Sequence, residues 1–86
     1  PVYFWMKNTY LPLDMIFIRA NGTVARIEAN TVPLSERSVP SGSPVRYVLE
    51  INAGRAAQIG LKPGDVVRHP IVGRIVEAYE GKDDAA

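Results

Sequence analysis

The chain has 86 residues, ten basic against nine acidic for a net charge of +1, and 47% of it is hydrophobic. That length makes one domain, which buries roughly 60–65% of its unfolded surface, and its composition argues against disorder over about the first seventy positions. The basic residues form no run, so no nucleic-acid partner is expected, and the absence of cysteine removes disulfides, thiolate metal sites and cysteine nucleophiles together. Lack of cysteine fits cytoplasm and periplasm equally. No apolar run approaches the roughly 20 residues needed to span a bilayer. The chain opens on Pro1 rather than Met, which leads us to expect a processed or trimmed N-terminus, with an export signal or an upstream part of the domain removed.

Val2 to Met6 alternates, with Val2, Phe4 and Met6 on one face and Tyr3, Trp5 and Lys7 on the other, which predicts a strand. Pro12 withholds an amide donor and extends Leu11, so Lys7 to Leu13 reads as a corner. Met15 to Ile18 is continuously apolar, as in a strand covered on both faces. Asn21-Gly22 supplies the backbone angles of a tight hairpin turn. On the returning strand Val24 and Ile27 stand three apart; a β-bulge near Ala25 or Arg26 would restore the register and is favoured over the competing reading, a short helical turn.

Pro33 to Pro44, with three prolines and four serines, reads as a surface loop. Val45 to Ile51 alternates cleanly, with Arg46, Val48 and Glu50 opposite Tyr47, Leu49 and Ile51. Asn52 is placed to cap a short helix over Ala53 to Ile59, closed by Gly60. Lys62-Pro63-Gly64-Asp65 is a turn, and Val66 to His69 a strand. Ile71 to Tyr79 is apolar enough for one more strand or a helix, and Gly81 to Ala86 reads as a disordered polar tail.

These elements predict a mainly β (α+β) domain over residues 1–80: a small, partly closed β-barrel of about five to seven short strands with one short helix. Chemistry-bearing residues gather at one corner. If the first, second and fourth elements are neighbours, Lys7, Asn8, Asp14 and Glu50 converge beside the Trp5 indole, and this patch is the candidate ligand-binding site. Trp5 would supply apolar contact, Lys7 a cation, Asn8 a donor and acceptor, and the two acids acceptors. Clusters of this kind more often tie a corner to its own backbone than perform acid–base chemistry, so no residue is assigned a catalytic role.

The sole histidine, His69, lacks a second ligand at metal-binding spacing, so no metal site is assigned. The glycines make no phosphate-cradling motif, the serines lack a nucleophile-elbow context, and no cofactor is expected.

The run WMKNTYLPLDMIFIRANGTV, continued by VPLSE and PVRYVLEINAGRAAQIGLKPGD, resembles the bacterial and archaeal domain-of-unknown-function family 192 over about positions 4 to 67. The resemblance implies an export signal and an upstream part of the domain, hence a periplasmic or otherwise exported protein. It implies no reaction. GLKPGDVV also resembles a segment of swapped-hairpin DNA-binding regulators, a likeness that turn chemistry alone can produce.

The sequence reading is therefore an exported, non-enzymatic domain that binds a small polar, saccharide-like ligand or a protein partner. Two rival readings are a hydrolase- or lyase-like enzyme using Lys7 with Glu50 or Asp14, and a dimeric nucleic-acid-binding domain in which Arg19, Arg26, Arg46, Arg68 and Arg74 cluster.

Overall fold

A computed structural model describes residues 3–6, 10–35, 38–67, 74–77 and 83–85, the last two segments as backbone. The longest alternating stretches build a central sheet. β2 (Leu13–Ile18) is its spine, paired antiparallel with β3 (Val24–Glu28) on one side and β5 (Tyr47–Asn52) on the other; β6 (Arg74–Glu77) completes the order β3-β2-β5-β6. A smaller sheet, in the order β4-β1-β7, comprises β4 (Val39–Pro40), β1 (Tyr3–Trp5) and β7 (Asp83–Ala85). The fold is thus mainly β with one short helix, α1 (Arg55–Ile59). The two sheets remain separate, and no closed barrel forms among the described residues.

Alternation on β2 divides the interior in two. Met15 and Phe17 point toward the small sheet, where they pack with Phe4, Met6, Val39 and Val48. Phe4 meets Phe17 edge-to-face, ring centroids 6.2 Å apart at 74°, the arrangement that opposes one ring's positive edge to the other's negative face. Ile16 and Ile18 point the other way, into a cluster with Val24, Leu49, Ile51 and Ala56 that Leu61 and Val67 flank. Every residue of β2 from Asp14 to Ile18 is therefore buried, as its unbroken apolar run requires.

The bulge sits where the spacing puts it. Phe17 pairs with Arg26 and Ile18 with Val24, so Ala25 is the extra residue on β3. Skipping Ala25 lets Val24 and Ile27 face the same cluster. At the turn, Gly22 adopts φ 88°, and Arg19 N donates to Thr23 O at 2.9 Å. The Lys62–Asp65 turn docks on this hairpin: Val24 N donates to Asp65 O and Gly64 N to Val24 O, both at 2.8 Å.

Four elements differ from the sequence reading. Where a strand was expected over Val66 to His69, Val66 makes only an isolated bridge to Thr23, Val67 lies in no strand, and residues 68 and 69 lie outside the described residues. Asn52 closes β5 instead of capping the helix, whose N-cap is Gly54 in the left-handed region. The helix does end at Gly60, where Leu61 N reaches Ala56 O and Gly60 N reaches Ala57 O, the paired bonds of a Schellman terminus. Within the proline- and serine-rich loop, Val39–Pro40 pairs with β1; Pro40 is tolerated because a terminal strand has a side that needs no donor. Asp83–Ala85 lies parallel to β1, a pairing that the polar composition of the tail does not announce. Residues 71–79, left open between strand and helix, contain strand β6.

Candidate functional site

Of the five residues singled out in the sequence, Lys7 and Asn8 lie outside the described residues, as does His69. Trp5 is half-buried on β1. Asp14 and Glu50 do not converge. Asp14 pairs with Ile51 and shares the face of Ile16 and Leu49, whereas Glu50 pairs with Met15 and shares the face of Phe17 and Val48. Partners in an antiparallel register project to the same side, so the two carboxylates occupy opposite faces of the central sheet. A one-residue difference in register parity decides this. The expected joint patch of both acids is corrected accordingly.

Each acid is also deep in the fold. Asp14 is 0% exposed and Glu50 4%. Asp14 Oδ1 accepts a hydrogen bond from Asn30 N and its Oδ2 one from Ala56 N, both at 3.0 Å. A carboxylate with both oxygens held by backbone amides fastens elements together, here the exit of β3 and the first turn of α1 onto β2. It performs from a distance the capping role that the sequence assigns to Asn52. Glu50 stands opposite Arg74 in the β5–β6 register.

A concavity among the described residues lies elsewhere. Between the two sheets, where terminal strand β3 and terminal strand β4 face a common gap, lies an open depression of about 570 Å³. Its floor is apolar, with Met6 and Val39; its rim holds Glu28, Asn30, Ser35 and Ser38. Thr31 fixes the inner wall: its Oγ1 donates to Leu13 O at 2.9 Å and lies 3.2 Å from Met6 Sδ, while Leu13 N donates back to Oγ1 at 3.2 Å. Arg26 bridges the gap at one end. One guanidinium nitrogen donates to Pro40 O at 2.7 Å, and the other meets Glu28 Oε1 at 3.2 Å.

The sequence reading missed this depression because its walls come from a strand end and a segment read as plain loop. Two signals were present: the Arg26–Glu28 spacing of two, which places opposite charges on one strand face, and the serines at 35 and 38. Among the described residues no group of three or more His, Cys, Asp or Glu side chains could hold a metal ion. No helix among them is long and apolar enough to cross a membrane.

Fold and depression together define a small two-sheet β domain with a polar-rimmed cleft between its sheet edges. The chain belongs to domain-of-unknown-function family 192 ("Uncharacterized ACR"), whose model matches residues 1–69. It is similar to a protein of unknown function from Novosphingobium aromaticivorans, at 48% identity and a TM-score of 0.75 over 79% of this chain and 49% of that one. It is similar also to a protein from Sinorhizobium meliloti described as a candidate transcription regulator, at 47% identity and a TM-score of 0.72 over 88% of this chain and 53% of that one. The chain thus spans about half the length of these solved relatives. Comparison with functionally curated proteins gives no match.

Proposed function

We propose that the domain is an exported, non-enzymatic module that binds a small, neutral, polar ligand of saccharide type in the depression between β3 and β4. The observation that carries this reading is the depression itself: about 570 Å³, within the roughly 300–1,000 Å³ of small-molecule sites. Its apolar floor with hydroxyl and amide groups on the rim suits a ring that offers apolar faces and hydroxyl edges. Trp5, Lys7 and Asn8 are kept as candidates on the sequence reading alone. Glu28 and Asn30 take over the acceptor role first given to Asp14 and Glu50. The exported location rests on the family resemblance alone.

An acid–base enzyme using Lys7 with Glu50 or Asp14 has less support, since both oxygens of Asp14 are held by backbone donors and Glu50 is buried. The Sinorhizobium relative's description invites a nucleic-acid reading. Against it, three of the five arginines in that reading make contacts within the fold: Arg19 donates to Thr23 Oγ1 and Val24 O, Arg26 to Pro40 O, and Arg46 lies 6.0 Å from the Tyr47 ring.

Titrating the ¹⁵N-labelled protein with neutral monosaccharides and N-acetylated amino sugars tests the reading. Amides of Asn30, Thr31, Ser35 and Ser38 should shift while those of α1 stay fixed, and Ser38→Phe, which fills the depression from an exposed position, should abolish the shifts. Silence of these amides at saturating sugar overturns the proposal.

A further inference from the structure

The most exposed large apolar side chains among the described residues are Tyr10, Leu11, Val32 and Leu34, between 50% and 78% exposed. Two segments carry them, and hydrogen bonds tie these segments together at both ends. Met6 N donates to Ser35 O at 3.1 Å, and Thr31 N donates to Leu13 O at 2.9 Å. Leu13 N also reaches Thr31 Oγ1 at 3.2 Å. The stretch from Met6 to Leu13, with Tyr10 and Leu11, is thereby the neighbour of the stretch from Thr31 to Ser35, with Val32 and Leu34. The four side chains form one apolar patch at this end of the central sheet.

The second stretch is held against its own backbone preference. Ser35 N donates to Val32 O at 3.3 Å, closing a β-turn with Pro33 and Leu34 at its centre, and Leu34 has φ 61°. A positive φ at the second central position makes a type II turn, whose usual residue there is glycine. A leucine in this region crowds its Cβ against the following carbonyl. Leu34 thus combines a strained backbone with an apolar side chain left half in water. Strain of this kind gathers at ligand clamps and other functional turns.

What the patch accommodates follows from its place and its size. Val32 belongs both to the patch and to the wall of the depression between β3 and β4, so the apolar surface runs on from that depression without a break. Four large side chains fall far short of the roughly 20–30 residues a side in a stable protein interface. They match a short alkyl chain or a single aromatic ring.

We infer, resting on the saccharide reading of the depression, that the patch is its apolar subsite and that the ligand is a glycoside with an apolar substituent. The neutral sugar sits between β3 and β4, while the alkyl or aryl group crosses Val32 onto Leu11 and Leu34. Each methylene taken from water tightens binding roughly three- to fourfold. A hexyl chain only half covered by the patch therefore gains about tenfold or more.

Titrations of the ¹⁵N-labelled protein with methyl and hexyl β-glycosides of glucose and of N-acetylglucosamine, all below micellar concentration, test this. The hexyl glycosides should bind about tenfold more tightly than the methyl ones. They should also shift the amides of Leu11, Val32 and Leu34 well beyond the shifts the methyl glycosides cause. Leu34→Gly fits the positive φ without a side chain, and Leu11→Ser changes an exposed position; each should remove most of the hexyl gain and leave methyl glycoside affinity nearly unchanged. Equal affinity for methyl and hexyl glycosides, with the Asn30 and Ser38 amides moving for both, overturns the apolar subsite and spares the saccharide reading. Hexanol acting on the patch amides at the same concentrations as the hexyl glycosides also overturns it, since the sugar would then add nothing. Silence of Asn30 and Ser38 toward every glycoside overturns the saccharide reading and the subsite with it.

Discussion

The carboxylate of Asp14 on β2 and the backbone N–H of Ala56 on α1, 42 residues apart in sequence, meet at 3.0 Å in the interior. The second carboxylate oxygen holds Asn30 N, where the backbone turns through φ 53° after β3. One side chain thereby sets the seat of the only helix among the described residues and the exit of the sheet's terminal strand. A helix of five residues is far too short to stand on propensity, so its position depends on this bond and on burial of Ala56.

Asp14→Ala should therefore lower stability by about 3–5 kcal/mol, since hydrogen bonds to a charged group contribute roughly 1.5–3 each and two buried amides would lose their acceptor. For a small domain this approaches the whole folding free energy. Asp14→Asn keeps one acceptor oxygen and should cost less. The urea midpoint at unchanged slope measures the difference, and an Asp14→Ala midpoint equal to wild type would deny the carboxylate its fastening role.

Ala25 tests the bulge. Removing it leaves Val24 and Ile27 two apart, the spacing at which a regular strand sets both on one face, so the ladder to Phe17 and Ile18 closes without a bulge. Both apolar side chains then stay in the same cluster, and only the bulge's local twist is lost. We expect the deleted chain to keep a cooperative melt by circular dichroism, as Ala25→Ser should; loss of the folded signal on deletion alone would show that the bulge itself, and not the spacing it corrects, is needed.

Arg26 and Glu28 separate two kinds of bond at one site. Their ion pair joins side chains 36% and 40% exposed, and a surface pair of this sort contributes roughly 0–1 kcal/mol. The bond from Arg26 to Pro40 O instead links the terminal strands of two sheets. Glu28→Gln should leave the melting temperature almost unmoved. Arg26→Ala should lower it further and accelerate amide exchange at Val39 beside β1. Equal effects of the two substitutions would show that the bridge between the sheets adds nothing beyond the pair.

Much of the local architecture can be read in the residues because it is enforced locally. Asn21-Gly22 and Lys62-Pro63-Gly64-Asp65 adopt turns that their own dihedral preferences select. Gly60 ends the helix because an αL terminus carries no Cβ penalty there. The spacing of Val24 and Ile27 demands a bulge once both must be buried. The candidate site was legible only in part, for Trp5 lies on β1 as its alternation requires, but nothing near Asp14 in the chain reveals that its partners are Asn30 and Ala56.

By itself, then, the sequence determined which segments extend, where they turn and which side of each strand is apolar, because these follow from periods of two and from backbone preferences within a few residues. Only the tertiary structure decided that Asp14 and Glu50 face away from each other, that Val39–Pro40 joins β1, and that a cleft opens between β3 and β4. Those outcomes depend on register parity and on which strand edges are left unpaired. Both are properties of pairings between distant segments, and no single segment encodes them.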